Sequence, residues 1–376
     1  MTNKQAIVIG AGIVGLATAR ALALKGFSVK VFDRSQQAVG ASVRNFGMIW
    51  PIGQPEGKLY NRAIRSRNVW KETCEAAGIW HEPAGSLHLA YHTDEMQVLK
   101  ELHEIFNQQG RNVSLLSKAE IIDQYDAVNP ANLLGGLYSP EEMIVDPGES
   151  IARLPAYFKE RYAIDFYWGR CVSFITGQTV YIGHKEKHEA DIIFVCSGAD
   201  FETLYPEIFS SSPLTKCKLQ MMRLAAQPGN SRIGAALCGG LSLIHYNSFK
   251  AAPSLDNLKL RYQNEMSEYI KWGIHVMVSQ NGRGELTVGD SHEYGLTQEP
   301  FDKQFINQMI LDYLHQFARF KDSSVIETWN GTYPKLTNGE ADIFLSPEKD
   351  VYILNGLGGA GMTMSFGLAE EVMERI

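Results

Sequence analysis

The stretch that decides the fold is residues 6–33, which read AIVIGAGIVGLATARALALKGFSVKVFD. Residues 6–9 form a short apolar run, which is typical of a strand buried on both faces. Gly10-Ala11-Gly12-Ile13-Val14-Gly15 comes next and matches the pattern G-x-G-x-x-G. An apolar helical pattern follows, and residues 27–32 predict a second strand that leads into Asp33. This order of strand, glycine turn, helix and strand predicts a dinucleotide-binding unit.

Each part of this motif has a physical role beside a phosphate. Gly10 permits the tight turn, Gly12 lets the backbone approach a pyrophosphate, and Gly15 lets the helix pack closely on the strand. The start of the helix offers unpaired N–H groups and a partial positive charge. Asp33 lies about 20 residues further on, where a carboxylate can accept both ribose hydroxyls. The motif alone does not separate FAD from NAD.

The same apolar stretch has a rival interpretation as a secretory signal, because it follows Lys4 and because Ala17-Thr18-Ala19 resembles a cleavage site. Glycines at a fixed spacing and Arg20 inside the run favour the strand, turn and helix instead. A transmembrane helix needs roughly 20 apolar residues in a row. The sequence has no such run, so we expect no membrane span.

Composition and charge exclude several classes of partner. The 376 residues include 35 Lys and Arg against 42 Asp and Glu, which gives a net charge of −7. Nucleic acids and anionic membranes require clustered basic side chains, so neither is expected as a partner. The five cysteines are odd in number and have no C-x-x-C spacing, which argues against a disulfide framework or a zinc site. We therefore expect a reducing, cytoplasmic location and no metal.

A polar loop with interspersed glycines, residues 34–48, follows Asp33 and shows no strand or helix period. Long loops of this kind usually line a ligand, whereas an NAD domain would continue with further βα units. The segment resembles the one that follows the second strand in the FAD-dependent amine and amino-acid oxidase superfamily, which includes D-amino-acid oxidase, glycine oxidase and sarcosine oxidase. The resemblance implies that this loop wraps the FAD phosphates and reaches the isoalloxazine ring.

Three further segments extend the resemblance over essentially the whole chain. Residues 190–199 look like the family's strand followed by small residues, and Cys171-Val172 matches a position that meets adenine. Residues 350–355 predict a strand, and the glycine loop 356–363 after it leads into a helix; such a helix start can stabilise a reduced flavin. The residues expected to contact FAD are Gly10, Gly12, Ile13, Val14, Gly15, Asp33, Arg34, Ala41, Ser42, Asn45, Phe46, Gly47, Met48, Val172, Ser197, Gly198, Gly358, Gly359, Ala360, Gly361, Met362 and Thr363.

The resemblance implies an α/β fold in which a Rossmann-like FAD-binding domain of the glutathione-reductase type contains an inserted α+β substrate domain with an antiparallel sheet. The expected FAD-binding domain comprises residues 1–80, 145–215 and 326–376, and the substrate-binding domain comprises 81–144 and 216–325. Within the insertions, residue patterns predict strands at 220–226, 274–280 and 285–289 and helices at 93–109 and 301–317.

The activity that the resemblance implies is oxidation of the C–N bond of a small primary or secondary amine. A hydride passes to flavin N5, the imine is hydrolysed, and O2 is reduced to H2O2; no obligatory general base is expected. A closer resemblance, to a bacterial subfamily associated with aminophosphonate breakdown, rests on residues 42–48, residues 289–295 and the His245-Tyr246 pair. The candidates for substrate handling are Arg44, Asn45, His245, Tyr246, His292, Tyr333 and Lys335.

One departure from the family bears on the substrate. Glycine-oxidase-like members have a segment W-x-G-x-R-P whose arginine clamps the substrate carboxylate, and residues 329–335 here read WNGTYPK. Tyr333 thus stands where the arginine would be, and a tyrosine donates only one hydrogen bond. We therefore expect a small amine with a phosphonate-like acidic group, anchored by Arg44 and Lys335. A second possibility is that the carboxylate clamp has moved to Arg44 or Arg223, and the substrate is an amino acid.

The positions of the cysteines bear on how the cofactor is held. Sarcosine-oxidase-like members bind FAD covalently through a cysteine near the C-terminal region, and this chain has no cysteine after Cys238. We therefore expect non-covalent FAD. The sequence leaves three rival functions open: a flavin dehydrogenase with an electron acceptor different from O2, a non-catalytic flavin-binding scaffold and an NAD(P)-dependent dehydrogenase.

Overall fold

The computed structural model describes residues 4–376. Its α-helices are α1 Ile13–Leu24, α2 Lys58–Ala77, α3 Thr93–Gln108, α4 Lys118–Gln124, α5 Pro147–Tyr162, α6 Pro206–Ser211, α7 Leu255–Glu265, α8 Ser267–Lys271, α9 Gln304–Phe317 and α10 Gly361–Met373. Its strands are β1 Gln5–Ile9, β2 Ser28–Asp33, β3 Met48–Ile49, β4 His81–Glu82, β5 Ser86–Ala90, β6 Ser114–Ser117, β7 Gly135–Ser139, β8 Met143–Val145, β9 Asp165–Trp168, β10 Val172–Thr176, β11 Thr179–Ile182, β12 Glu186–Glu189, β13 Ile192–Val195, β14 Leu214–Leu224, β15 Ala236–Cys238, β16 Met277–Gln280, β17 Leu286–Gly289, β18 Glu293–Tyr294, β19 Val325–Leu336, β20 Ile343–Glu348 and β21 Val351–Asn355.

The first large sheet has the strand order β20-β21-β13-β1-β2-β9, and its strands are parallel except for the β20–β21 pair. β1 lies between β13 and β2, and helix α1 connects β1 to β2. Ile7 and Val8 are fully buried, as expected for a strand covered on both faces. The predicted Rossmann-like fold is confirmed.

Helix α1 is apolar around most of its circumference because it is covered on several sides. It packs against β1 and β2, against α5, and most extensively against α10. Ala17 and Ala19 have almost no exposure, and small side chains allow the close approach of the neighbouring helices. The helix ends before Gly26, whose φ of 86° only glycine adopts without strain. This layer positions the start of α1 at the carboxyl end of β1.

The second large sheet is mixed, and most of its strands are antiparallel; its order is β18-β14-β17-β16-β15-β5-β7-β6, and β19 pairs with the other edge of β14. The predicted strand at 220–226 overlaps the longer β14, which ends at Leu224, two residues before the predicted end. The strands predicted at 274–280 and 285–289 appear as the shorter β16 and β17. Helix α3 ends one residue before the predicted end, and α9 begins at Gln304 rather than at 301.

Two of the predicted domain boundaries fall inside strands of this second sheet. The boundary at 215/216 lies within β14, and the boundary at 325/326 lies within β19. These two strands pair antiparallel from Leu214↔Leu336 to Leu224↔Val325. The division into two domains remains a prediction, and this strand pair connects its parts.

All five cysteines have free thiols. Within residues 4–376, no helix combines the length and the apolar character that crossing a bilayer would require.

Candidate active site

A cavity of about 1060 Å³ is lined by residues of both large sheets. Ordinary small-molecule pockets measure about 300–1,000 Å³, so this cavity has room for a large ligand. Asp33 and Ser197 line the part formed by the first sheet, and Val172, the first residue of β10 in the separate sheet β10-β11-β12, lines the cavity beside them. His275 and Tyr333 line the part formed by the second sheet. The cavity therefore joins the dinucleotide motif to the candidate substrate residues.

The N-terminal glycine turn is held together by backbone contacts that leave no room for side chains. Gly10 has φ 103°, and a Cβ there would lie 2.4 Å from the carbonyl oxygen of Cys196. A Cβ on Gly15 would lie 1.8 Å from the carbonyl oxygen of Gly10. The glycines thus let α1 begin directly against the end of β1, where its free N–H groups face a ligand.

Two side chains hold this turn in place. Asp33 accepts hydrogen bonds from the backbone N–H groups of Ala11 at 2.9 Å and Ser35 at 2.8 Å. Ser42 Oγ accepts from the N–H of Ile13, at the start of α1, at 2.9 Å. Asp33 therefore orders the loops on both sides of β2 in addition to facing the cavity.

The part of the cavity around Val172 is surrounded by polar groups. Arg34 forms an ion pair with Asp200 at 2.9 Å and is half exposed. Ser197 Oγ donates to the carbonyl oxygen of Asp200 at 2.9 Å. Gly198 has φ 60°, and a Cβ there would meet nothing within 4 Å. The backbone at Gly198 therefore leaves open space on the cavity side.

The C-terminal glycine loop lies close to the first one, since a Cβ on Gly361 would lie 3.7 Å from the side chain of Ile13. Asn355 Nδ2 donates to the carbonyl oxygen of Gly198 at 2.9 Å, which ties β21 to the end of β13. Thr363 Oγ1 accepts from the backbone N–H of Trp50 at 2.9 Å. Lys335 on β19 bridges to Leu357 in this loop. The start of α10 is thereby fixed between both sheets.

The structure brings the predicted residues together with two exceptions, Gly15 and Gly47, which lie outside the cavity wall. A Cβ on Gly47, which has φ 72°, would lie 1.9 Å from the carbonyl oxygen of Val145, so close backbone packing explains this glycine. The predicted residues that line the cavity are Gly10, Gly12, Ile13, Val14, Asp33, Arg34, Ala41, Ser42, Arg44, Asn45, Phe46, Met48, Val172, Ser197, Gly198, His245, Tyr246, His292, Tyr333, Lys335, Gly358, Gly359, Ala360, Gly361, Met362 and Thr363.

These residues fit a flavin dinucleotide. The volume, the carboxylate at Asp33 and two glycine loops that each begin a helix match an extended ligand with a pyrophosphate in its middle. The cysteines of the wall are Cys171 and Cys196. Burial raises the pKa of the Cys196 thiol to about 12, so it is a weak nucleophile at neutral pH.

We predict that the flavin is bound without a covalent bond. Cys196 is protonated, and Cys171 lies beside Val172, on the side where the family resemblance places adenine rather than the isoalloxazine ring. Acid precipitation of the purified protein is expected to release a yellow supernatant and leave a colourless pellet. Flavin absorbance that stays with the precipitated chain after repeated washing would contradict this prediction.

Three imidazoles meet on the wall formed by the second sheet. His245 follows the 3-10 turn Gly240–Ile244, His275 precedes β16, and His292 follows β17. The ring centroids of His245 and His275 are 3.7 Å apart, and those of His275 and His292 are 5.2 Å apart. One nitrogen from each ring lies within 4.8 Å of the others. Asp290 lies beside them, with Oδ1 3.1 Å from His275 Nε2.

Burial determines the charge of this cluster. It lowers the pKa of His245 and of His275 well below the usual value, and the neighbouring imidazoles lower both further. Burial lowers the pKa of His292 to about 4. Burial also raises the pKa of Asp290 well above the usual carboxyl value. At neutral pH the three imidazoles are uncharged, and burial favours the protonated form of the Asp290 carboxyl.

The two predicted anchors have different surroundings. Lys335 Nζ donates to the hydroxyl of Tyr294 at 3.0 Å, and within residues 4–376 it forms no ion pair. Arg44 is exposed and donates to the carbonyl oxygen of Asn330 at 3.0 Å. Tyr333 is buried, and burial raises the pKa of its hydroxyl. Lys335 is thus an unpaired cation at the cavity, whereas Arg44 already has a backbone partner.

Four residues of this region are not among the candidates that the sequence suggests. His275 and Asp290 belong to the imidazole cluster, and the signal that could have found them is their position at facing ends of two predicted strands. Trp50 lines the cavity, and its indole N–H has no partner in residues 4–376. Glu142, behind it, accepts from the N–H of Ile52, and burial raises its pKa to about 7. No sequence pattern marks Trp50 or Glu142.

The chain resembles known proteins in sequence along nearly all of its length. A family model described as "FAD dependent oxidoreductase" (DAO) matches residues 5–375. The tRNA 5-methylaminomethyl-2-thiouridine biosynthesis bifunctional protein MnmC of Nitrosospira multiformis is 25% identical over 259 residues, which are 64% of this chain and 39% of that protein. The chain therefore spans about two fifths of the length of this relative.

Solved structures show the same fold at low sequence identity. Glycine oxidase from Bacillus cereus superposes with a TM-score of 0.78 at 16% identity, over 99% of this chain and 94% of that one. L-alpha-glycerophosphate oxidase from Mycoplasma pneumoniae, solved with FAD bound, gives 0.74 at 19% identity, over 100% and 94%. Both superpositions include the first and the second sheet of this chain.

Proposed function

The chain belongs to the family of FAD-dependent oxidoreductases, and from this premise we propose that it oxidises the C–N bond of a small amine whose acidic group is a phosphonate, with O2 as the electron acceptor. The observation that carries the proposal is the set of side chains on the cavity wall formed by the second sheet. It contains neutral imidazoles and an unpaired lysine, and Tyr333 stands at the position expected of a carboxylate-binding arginine.

FAD supplies the two-electron chemistry when it is bound. The chain's own residues therefore have to bind the amine, orient it and exclude water from it. Tyr246 and Met277 line the cavity beside the imidazole cluster, and the Tyr246 hydroxyl lies 3.2 Å from Met277 Sδ. Burial among uncharged side chains and beside the cation Lys335 disfavours the charged ammonium form of a substrate. The neutral amine, whose lone pair assists oxidation, is therefore favoured.

The arginines that line the cavity leave no free bidentate clamp for a carboxylate. Arg34 pairs with Asp200, Arg170 pairs with Glu186 at 3.4 Å, and Arg44 bonds a backbone carbonyl. Planar recognition of a carboxylate depends on such a guanidinium fork. Arg223, the second possible anchor, pairs with Glu285 and does not line the cavity. A tetrahedral oxyanion does not require such a planar fork, and the compact ammonium of Lys335 can bind it as a point charge.

The decisive test is a set of anaerobic reductions followed by loss of flavin absorbance. We expect 2-aminoethylphosphonate and its N-methyl derivative to reduce the flavin at least about tenfold faster than glycine, sarcosine or D-alanine, a difference of about 1.4 kcal/mol. β-Alanine is the matched control, because it replaces the phosphonate of 2-aminoethylphosphonate with a carboxylate.

The outcomes separate the rival functions. Faster reduction by the carboxylates would identify an amino-acid oxidase and overturn the phosphonate proposal. Reduction by no amine would overturn amine oxidation itself. Re-oxidation of the reduced enzyme by air, with H2O2 measured, tests the acceptor; reduced enzyme that is stable in air would identify a dehydrogenase with another acceptor.

A further inference from the structure

The imidazole cluster has an ordered arrangement of hydrogen-bond donors and acceptors. His292 Nδ1 lies 2.9 Å from the carbonyl oxygen of Gly273. A carbonyl only accepts hydrogen bonds, so Nδ1 carries the ring proton. Because this imidazole is uncharged at neutral pH, its Nε2 has a free lone pair. His292 therefore offers one acceptor to a ligand in the cavity.

His275 has the opposite polarity. Asp290 Oδ1 lies 3.1 Å from His275 Nε2, although it has no hydrogen-bond partner in residues 4–376. A proton on this carboxyl, which burial favours, would be donated to Nε2 and would leave the ring proton of His275 on Nδ1. Nδ1 is fully buried and has no hydrogen-bond partner in residues 4–376, although an unmade hydrogen bond is costly in a buried place. In that tautomer, His275 offers one unsatisfied donor on a residue that lines the cavity.

Lys335 adds a positive charge to this pair. It is close enough to lower the pKa of His245, His275 and His292 electrostatically. The rings of His245 and His275 are in close contact, with centroids 3.7 Å apart and planes tilted by 35°. Together these side chains offer a cation, a neutral donor and a neutral acceptor within one small volume.

We propose that His275, His292 and Lys335 form a subsite that selects the singly protonated form of a tetrahedral oxyanion, a phosphonate or phosphate group, as the acidic end of the substrate. This inference rests on the proposed function and names the group that its acidic subsite recognises. The anionic oxygens accept from Lys335 and His275, and the remaining P–OH group donates to His292 Nε2. Asp290 is a positioning residue, because it acts through His275.

The chemistry of the ligand decides the specificity. A carboxylate at neutral pH has no O–H group, so His292 Nε2 would stay unpaired against it. A sulfonate has the shape of a phosphonate but also lacks the O–H group. A phosphonate dianion has lost it, so this form binds only with uptake of one proton. The subsite therefore recognises the protonation state as well as the shape.

Few other titratable groups face the cluster, and they do not change charge near neutral pH. Burial raises the pKa of the hydroxyls of Tyr246, Tyr294 and Tyr333. Burial also raises the pKa of the Cys217 thiol to about 12. The imidazoles are already uncharged at neutral pH, so a pH dependence of binding between neutral and moderately alkaline pH reports on the ligand.

The test measures binding of methylphosphonate, methanesulfonate and acetate to oxidised, EDTA-treated holoenzyme by calorimetry, with the flavin difference spectrum as a second signal. We expect methylphosphonate to bind at least about tenfold more tightly than either of the other anions. The difference corresponds to the one hydrogen bond that only its P–OH group can donate to the buried His292 Nε2. Its affinity is expected to fall about tenfold per pH unit above its second ionisation. None of these probes has an amine, so binding is measured independently of turnover.

Two variants assign the effect to the residues. His292→Gln is expected to reduce the preference for methylphosphonate over methanesulfonate to about unity, whereas Lys335→Met is expected to weaken both anions equally. His184→Gln, on the exposed turn between β11 and β12, is the matched control and is expected to leave both affinities unchanged. Flavin content and thermal unfolding show whether each variant is folded. If His292→Gln does not fold, the pH profile of methylphosphonate binding to the wild type and the affinities of Lys335→Met test the proposal instead.

Several results would overturn the proposal. Equal affinities for methylphosphonate and methanesulfonate, or an affinity that does not change with pH, would exclude recognition of the P–OH group. Methylphosphonate binding that requires added Zn²⁺ would assign the imidazoles to a metal centre. Anion binding with no reduction by amines would contradict only the proposed function, and reduction by amines without anion binding would contradict only the subsite.

Discussion

Gly15→Ala is expected to produce a chain that is purified largely without flavin. The added Cβ would lie 1.8 Å from the carbonyl oxygen of Gly10, which belongs to the backbone of the glycine turn. Overpacking typically costs about 1–3 kcal/mol, and here no side chain can rotate to relieve the contact. α1 must therefore move away from β1, and the N–H groups at its start leave the phosphate position. We expect FAD affinity to fall at least about 100-fold, or about 2.8 kcal/mol.

The measurement is the ratio of flavin to protein absorbance after purification, followed by titration of the apoprotein with FAD. Gly295→Ala is the matched control, because it is the same substitution at a position where the new Cβ would have only an ordinary contact of 3.4 Å with the oxygen of Thr297. Normal flavin content in Gly15→Ala would show that the close approach of α1 to β1 is not required for FAD binding.

The central part of the first sheet could be predicted because the residues that determine it are close together in the sequence. β1, the glycine turn, α1 and β2 occupy one continuous stretch. Gly15 is needed by its contact with Gly10 in that stretch, and Gly10 by its contact with Cys196, the residue after β13. The C-terminal loop could be predicted for the same reason. Gly47 shows the limit of this reasoning. It was expected to contact FAD because it belongs to the wrapping loop, but it packs on Val145, a residue about a hundred positions away in sequence.

The imidazole cluster could be predicted only in part, because it depends on strand register. β16 and β17 pair Met277 with Gly289, and a regular ladder continued outward would place Ser291 opposite His275. The backbone instead pairs His275 with Asp290, through hydrogen bonds of 2.9 and 3.3 Å. A shift of one residue decides which side chain joins the cluster, and no sequence pattern shows such a shift.

The anchor of the acidic group also depended on long-range contacts. Arg44 and Lys335 were equally good candidates as isolated cations in cavity-lining segments. The structure distinguishes them because Arg44 donates one N–H to the carbonyl oxygen of Asn330 and is exposed, while Lys335 has only the hydroxyl of Tyr294. Which cation remains unpaired depends on the pairing of β19 with its neighbours, which a single segment does not reveal.

Asp33→Ala is expected to weaken FAD binding by roughly 10- to 150-fold, which is smaller than the effect at Gly15. A carboxylate that accepts from ribose hydroxyls makes charge-assisted hydrogen bonds worth about 1.5–3 kcal/mol. The structure adds a second contribution, because the same carboxylate accepts from the N–H groups of Ala11 and Ser35. The substitution therefore removes a ligand contact and also loosens both loops that surround the ligand.

These two contributions can be separated by measuring FAD affinity and apoprotein stability for the same set of variants. Asp191→Ala is the matched control, since Asp191 accepts from the backbone N–H of Gln5 at 2.7 Å, at the opposite end of β1 from the cavity. We expect Asp191→Ala to lower stability without changing FAD affinity. Asp33→Asn keeps an acceptor oxygen for one backbone N–H, and its affinity is expected to fall between those of the wild type and Asp33→Ala. If Asp33→Ala destabilises the apoprotein as Asp191→Ala does and still binds FAD with unchanged affinity, Asp33 orders the loops but does not hold the ribose.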